Sequence, residues 1–252
     1  MLNSFYVATL GMQAQKLQLD VVASNLSNAN TQGYKRERVD FSAFLDRQMQ
    51  VSHSEASADS AAIVRRWRDL SQGELKTTNS SLDIAINGAG FLEVALTDDR
   101  VGYVAGGSLR VSDEGYLTTA TGYRLKPELR IPSTARDLLV DGRGVVTATL
   151  GSDTRRTELG RLQLVTFSNV DNLVYDGGGI FTARDNVAPS SFGYPDESGF
   201  GRIEAGKLEM SNVKLVEEMV QLMLAQRVYE LNSKILQASD EMMALNNSLR
   251  RS

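Results

Sequence analysis

The chain has 252 residues, of which 42% are hydrophobic and 23% charged, and its formal net charge is −4. That is enough apolar material for one or two packed domains, and it excludes global disorder. The absence of cysteine and the single histidine exclude disulfides, thiol nucleophiles, iron–sulfur clusters and nearly every zinc site, and the acidic balance argues against a nucleic-acid binder. No stretch approaches the roughly 20 apolar residues of a membrane helix, so membrane insertion is not expected. Met1 to Thr9 carries no basic residue, so no cleaved secretory signal is expected either.

Residues 1 to about 30 contain no proline and one glycine, Gly11. Two apolar stripes at helical spacing run through them. One is Val7, Leu10, Ala14, Leu17, Val21; the other is Ala8, Met12, Leu19, Val22, Leu26. A helix packed on one partner needs only one stripe, so this one is expected to be covered on two sides. Asn3 or Ser4 is placed to cap its start, and Asn28 to Gly33 to stop it. Gly33 is expected in a left-handed conformation, as the hinge that turns the chain out of the helix.

From Glu37 to Gln72 the sequence is polar. Phe41, Phe44, Leu45 and Met49 suggest a short helical turn, followed by linker texture to about Ala62. Arg65, Arg66 and Arg68 then surround Trp67, which reads first as a solvated strand edge with one anchoring aromatic and second as a partner contact. From Leu82 to Phe181 the texture is β. Leu82 to Ile86 alternates, and turn signals recur at Asn87-Gly88, Asp113-Glu114-Gly115, Thr121-Gly122, Asp141-Gly142 and Asp176-Gly177. Short antiparallel strands in a sandwich or open barrel are expected.

Residues 207 to 252 again lack proline and glycine. One stripe is Val220, Leu224, Val228, Leu231, Ile235, Ala238, Met242, Leu245, Leu249; a second is Leu215, Met219, Leu222, Tyr229, Leu236, Met243. With Ser211 or Asn212 as N-cap, acidic Glu217 and Glu218 near the start and Arg250 and Arg251 at the end, the polarity suits a helix dipole. Such a helix from Asn212 to Leu249 would be about 55 Å long, more than the middle domain alone can cover.

Catalytic motifs fail residue by residue. Gly201 to Leu208 has a leucine where a phosphate loop needs Ser or Thr. Ser211-Asn-Val-Lys214 lacks its companion motifs. Gly88-Ala-Gly90 lacks a third glycine at Glu93. His53 sits in the polar stretch with nothing apolar to orient it, and Asp98-Asp99 and Glu217-Glu218 are only neighbours in sequence. Neither an enzyme nor a catalytic, metal or cofactor site is expected.

The residues read as an α+β chain. Terminal helices (1–33 and 211–252) pair as a coiled-coil-like assembly domain, 34–71 is an extended arm or linker, and 72–210 is the β-rich domain. The subunit-interface candidates are Leu10, Ala14, Leu17, Val21, Leu26, Asn28, Asn30, Val220, Leu224, Val228, Leu231, Ile235, Met242 and Leu245. The Asn25 to Asn30 stretch has two readings, a capped helix end or amides bonded to a neighbouring subunit. Two architectures remain open on this basis: a self-assembling subunit, and a soluble β-sandwich binding module with a closed helical hairpin.

Three blocks resemble one family. Leu19 to Arg36, with Leu26-Ser27-Asn28-Ala29-Asn30-Thr31 and Gly33-Tyr34-Lys35-Arg36, is similar to the N-terminal signature of bacterial flagellar rod and hook proteins, with Tyr34 at the usual phenylalanine. Gln72-Gly73-Glu74-Leu75 with Thr78 to Phe91 resembles the central block. Leu208 to Val213, Val216 to Val220 and Gln226 to Lys234 resemble the C-terminal signature. The resemblance implies an axial rod subunit, most like distal-rod members, with proximal-rod members as the alternative. It implies helical self-assembly through the terminal helices into the drive shaft that carries torque from motor to hook. Its implied partners are other copies, neighbouring rod and hook proteins, the type III export apparatus and the surrounding basal-body rings. Its implied location is the periplasmic basal body, reached without a cleaved signal peptide.

Overall fold

The structure is a computed structural model that describes residues 2–40, 65–97, 100–151, 155–184 and 187–249. The expected turn at Phe41 to Met49, His53 and the Asp98-Asp99 pair lie outside the described residues. Among the described residues the fold is α+β, with two α-helices and a β-rich half-barrel. Two compact units are formed: Met1–Ala29, Arg36–Asp69 and Val213–Ser252 make one, Asn30–Lys35 and Leu70–Asn212 the other.

In the helical unit, α1 spans Leu2–Ser27 and α2 spans Leu215–Leu249. Helix α1 is already running at Asn3 and Ser4, so neither caps it. Helix α2 begins later than Ser211 or Asn212, with the Glu218 amide closing the first turn on the Lys214 carbonyl at 3.0 Å. The caps were misplaced because both polar residues have tertiary work: Ser211 is buried and the Asn212 carboxamide donates to the Ser71 carbonyl at 3.0 Å. The two helices run antiparallel. Asn25 bonds Glu218 near one end, and a Cβ on Gly11 would stand 3.7 Å from the Asn232 carboxamide further along. Both contacts are separated by fourteen residues on each helix, about four turns. The same unit holds β1 (Glu37–Asp40) and β2 (Arg65–Arg68), paired antiparallel with Arg38 opposite Trp67. Trp67 is exposed and Arg38 lies over its ring at 5.4 Å, so the basic patch is a strand with one aromatic anchor.

The β unit carries the remaining strands. In chain order they are β3 (Leu75–Thr77), β4 (Asp83–Asn87), β5 (Phe91–Ala95), β6 (Val101–Val104), β7 (Gly106–Val111), β8 (Leu117–Thr119), β9 (Arg124–Lys126), β10 (Ala135–Val140), β11 (Val145–Leu150) and β12 (Arg156–Arg161). They continue with β13 (Leu164–Thr166), β14 (Leu173–Gly177), β15 (Ile180–Ala183), β16 (Ser191–Gly193), β17 (Arg202–Ala205) and β18 (Lys207–Glu209). Eleven strands form one sheet along β14-β15-β6-β5-β9-β8-β7-β4-β17, with β13 and β16 branching from β5. One edge of β5 is shared: Phe91 and Leu92 pair with β13, while Glu93 to Ala95 pair with β9. That split bends the sheet around its own apolar face. Strands β10, β11 and β12 form a separate three-stranded meander, and β18 pairs with β3.

The core follows from strand alternation and short turns. Ile84, Leu92, Val94, Leu117, Leu125, Val146, Leu162, Leu164 and Ile203 are fully buried in one cluster. Each contributes about 1.5–3 kcal/mol gross on burial. A second cluster is aromatic, with Phe91, Tyr103 and Phe181 buried beside Val165 and Leu173. Tyr103 stands edge-on to Phe167 at 4.8 Å, and Phe91 to Phe181 at 6.0 Å, the geometry that ring quadrupoles favour.

Candidate functional site

Two places carry residues that packing alone does not explain. One is the outer face of α2. The other is the dipeptide Lys35-Arg36, whose two cations are each paired with a buried carboxylate, one in each unit.

On α2 the residues that turn inward are Glu218, Leu222, Ala225 and Asn232, and the first of these is only 1% exposed. Seven-residue spacing links Glu218, Ala225 and Asn232, so apart from Leu222 the described part of this face is polar or small. The apolar stripe faces out. Val216 is 75% exposed, Leu231 57% and Met242 65%, and Val220, Met223, Leu224, Val228 and Ile235 are exposed as well. Among the described residues, eleven of the nineteen exposed large hydrophobics lie on α2. Eight of these, Val216, Val220, Met223, Leu224, Val228, Leu231, Ile235 and Met242, recur at helical spacing on one side of α2, and such faces mark interaction sites. Helix α1 does the opposite among its described side chains: exposed Thr9, Gln13, Lys16, Asp20 and Ser27 are polar, Ala23 is the one small apolar exception, and Val21 and Val22 are buried.

The interface candidates thus divide. Val220, Leu224, Val228, Leu231, Ile235 and Met242 are exposed on this chain. Val21 is buried, while Ala14, Leu17 and Leu26 are half-buried. The side chains of Leu10 and Leu245 are outside those described. Asn28 returns its amide to the Ser24 carbonyl at 2.9 Å, closing the last turn of α1, and Asn30 is exposed. Gly33 has φ +65°, the left-handed conformation expected of it, and a Cβ there would meet nothing.

In the helical unit, Asn25 is the organising amide. Its Nδ2 donates to the Glu37 carbonyl at 2.8 Å and to Glu218 Oε2 at 3.1 Å, and its Oδ1 accepts the Glu37 N–H at 2.9 Å. A single side chain thus bonds Glu37 as a strand neighbour would, and ties α1 to α2. Arg36 Nε lies 2.6 Å from Glu218 Oε1, and its Nη1 donates to Glu217 Oε2 at 3.2 Å. The Glu217 carboxyl is held below its ordinary value, first by the hydrogen bond from Lys214. Arg68 pairs with the Glu37 carboxylate, and Arg38 with Asp69 at 3.2 Å.

In the β unit, Lys35 Nζ stands 2.6 Å from Glu209 Oε1, with the two side chains 4% and 6% exposed. The same ammonium donates to the Ser71 carbonyl at 2.9 Å. Glu209 Oε1 also accepts the Gly73 N–H at 2.7 Å, and its carbonyl accepts the Gly33 N–H at 2.9 Å. Only glycine fits at 73, because a Cβ would fall 2.0 Å from the Met210 carbonyl oxygen. Tyr34 is buried edge-on to Tyr175 at 6.3 Å. The three sequence blocks therefore meet: residues 33–35, 71–73 and 209–212 converge on one carboxylate. Glu209 has no signal in periodicity; the Asn25 amide, read as a cap or an intersubunit bond, and Glu218, read as a helix-dipole charge, are bonded to each other within the chain. The available signal was a polar residue at an inward helical position, or at the end of a short strand.

Among the described residues no group of His, Asp or Glu could hold a metal ion, and no helix is long and apolar enough to cross a membrane. The geometry is that of a structural protein: a turn-rich β unit, a helical pair with an uncovered apolar face, and buried ion pairs where the chain passes between units.

Comparison with known proteins agrees with that class. Residues 5–35 match the family described as flagella basal body rod protein, 85–148 the flagellar hook protein FlgE/F/G D1 domain, and 204–249 the flagellar basal body rod FlgEFG protein C-terminal region. The flagellar basal-body rod protein FlgG of Borreliella burgdorferi is 31% identical over the whole of both chains. FlgG of Agrobacterium fabrum is 32% identical, covering 97% of this chain and 98% of the relative. The flagellar hook-basal body complex protein FlhP of Bacillus subtilis is 29% identical over 99% of this chain and all of the relative. The chain belongs to the flagellar basal-body rod protein family. Within it, the chain is a FlgG-like structural subunit.

Proposed function

We propose that the chain is a distal-rod subunit that assembles with further copies through the exposed stripe of α2, forming part of the shaft between motor and hook. The observation that carries this reading is the stripe from Val216 to Met242, left open on a chain that resembles FlgG from end to end. Covering six such side chains is worth roughly 10–20 kcal/mol gross, enough to drive association after ordering entropy is subtracted. The FlgG relatives favour the distal over the proximal position. The antiparallel α1–α2 contacts, spaced by two heptads, support coiled-coil-like pairing. Further parts of the reading are the boundaries 1–33, 34–71, 72–210 and 211–252, Gly33 as a hinge, and Asn28 and Asn30 near a neighbouring copy. So are contacts with other rod and hook proteins, the export apparatus and the basal-body rings, a periplasmic position without a cleaved signal, and the absence of enzymatic activity.

The test is assembly. Leu231→Glu with Ile235→Glu places two charges in the stripe without touching a buried residue. Sedimentation over a dilution series should show concentration-dependent growth of the wild-type chain and none of the variant, and cells making the variant should lack rods beyond the substituted segment. Unchanged assembly of the variant would sink the reading, and a concentration-independent monomer of full helicity in both would favour the closed-hairpin module.

A further inference from the structure

The chain passes between its two units at four points: after Ala29, Lys35, Asp69 and Asn212. On the side of the β unit, the three segments that hold all four points are bonded to one another. Residues 33–35 reach Glu209 through the Gly33 N–H and the Lys35 ammonium. Residues 71–73 reach it through the Gly73 N–H, and reach Lys35 through the Ser71 carbonyl. Residues 209–212 close the ring, with the Met210 N–H on the Glu74 carbonyl at 2.8 Å and the Asn212 carboxamide on Ser71.

A buried ion pair is a poor way to gain equilibrium stability, since apolar residues of the same volume often do as well. What the pair supplies is stiffness. Charge-assisted hydrogen bonds are short, directional and roughly twice as strong as neutral ones, and here they fix three segments to one another at defined atoms.

We propose that Glu209, with Lys35 and Gly73, is a mechanical clasp at the end of the β18–β3 ladder that makes the crossing segments take tension together, so that force entering along one segment is shared by all three. The proposal rests on the rod reading for its purpose, since a torque-carrying subunit is pulled along these segments. The clasp itself is a property of the single chain.

Because the protein has no cysteine, introduced thiols are unique attachment points. The full chain would be pulled at constant force from Ser27→Cys and Lys214→Cys, which loads segments 30–35 and 209–212 against each other. Lys35→Met removes the pair while leaving the Gly73 bond; Glu209→Gln weakens both. Circular dichroism would establish that each variant is folded. Each should unfold at least about tenfold faster than the parent under this load. Glu204→Gln, which breaks the part-exposed pair with Lys207, should not. Pulling from Asp113→Cys and Val170→Cys, which bypasses the clasp, should show no difference between Lys35→Met and the parent. Equal rates under the first load would overturn the proposal. An equal acceleration in both pulling directions would overturn it too, since that is ordinary destabilisation. The assay uses monomer, so a failure of the α2 variant to affect assembly would remove the rod reading and leave this result standing.

Discussion

Ile84, Leu92, Val94, Val146 and Leu164 of the β unit are buried to the last atom, while α2 of the helical unit turns Val216, Leu224, Leu231 and Met242 to solvent and draws Glu218 inside. The first unit closes its core with its own chain, leaving Phe192 and a few single apolar side chains at the surface. The second has placed Glu218, Ala225 and Asn232, with Leu222, on its inward face and left most of its described apolar side chains exposed. The two burial patterns differ in kind: a closed core needs no neighbour, whereas an exposed apolar helix face is the pattern the assembly reading calls for.

The comparison breaks most readily at Glu218. Glu218→Ala leaves Arg36 and the Asn25 carboxamide without their buried partner, and should cost about 3–5 kcal/mol in the helical unit alone. Amide exchange along α1 should accelerate, while strands β5 and β6 keep their protection. In the other direction, Leu164→Ala opens a cavity in the β core worth about 2–5 kcal/mol. Exchange should rise across β5, β13 and β16 and stay constant in the helices. Equal loss of protection in both units from either substitution would mean that they are one cooperative block, and that the contrast is only one of composition.

Smaller effects sharpen the picture. Gly33→Ala has room for its methyl group but must hold φ +65°, which costs about 1–2 kcal/mol; Gly33→Asn should cost less, and thermal unfolding followed for both separates conformational strain from a clash. Tyr103 offers a test confined to the β unit. Burial, aided by the charge of Glu93, pushes its phenol above the ordinary value of 10.0. A group whose folded value is raised stabilises fully below the unfolded value, and that contribution disappears as pH climbs through the folded one. The stability of the β unit should therefore fall above pH 10.0, and Tyr103→Phe should flatten that decline while leaving the neutral-pH midpoint nearly unmoved. Smallest of all, Leu231→Glu with Ile235→Glu should change monomer stability by less than about 0.5 kcal/mol, because both side chains are more than half exposed.

Much of this was legible locally. The proline-free ends read as helices and are helices, and the alternation at Leu82 to Ile86 with its Asn-Gly turn is β4 and its end. The left-handed Gly33 followed from a helix-stopping polar run. The N-cap of α2 did not, because Asn212 looks the same in sequence whether it caps a helix or bonds Ser71. Nor did the assignment of the two α2 stripes, since periodicity gives the angle of a face and not the identity of its neighbour. The Asn25–Glu218 bond joins residues 193 positions apart, and no window along the chain contains both.

By itself, then, the sequence determined which segments are helical and which are extended, where the chain must turn, and to which family it belongs, because those properties rest on local backbone preference and on contiguous blocks of residues. Only the tertiary structure decided that the Lys35 and Arg36 cations each find a buried carboxylate, that Gly73 is pressed against the Met210 carbonyl, and that α2 hides its charge and shows its leucines. Those outcomes depend on which distant groups come within a few ångströms, and hydrogen bonds and ion pairs have strength only at that range.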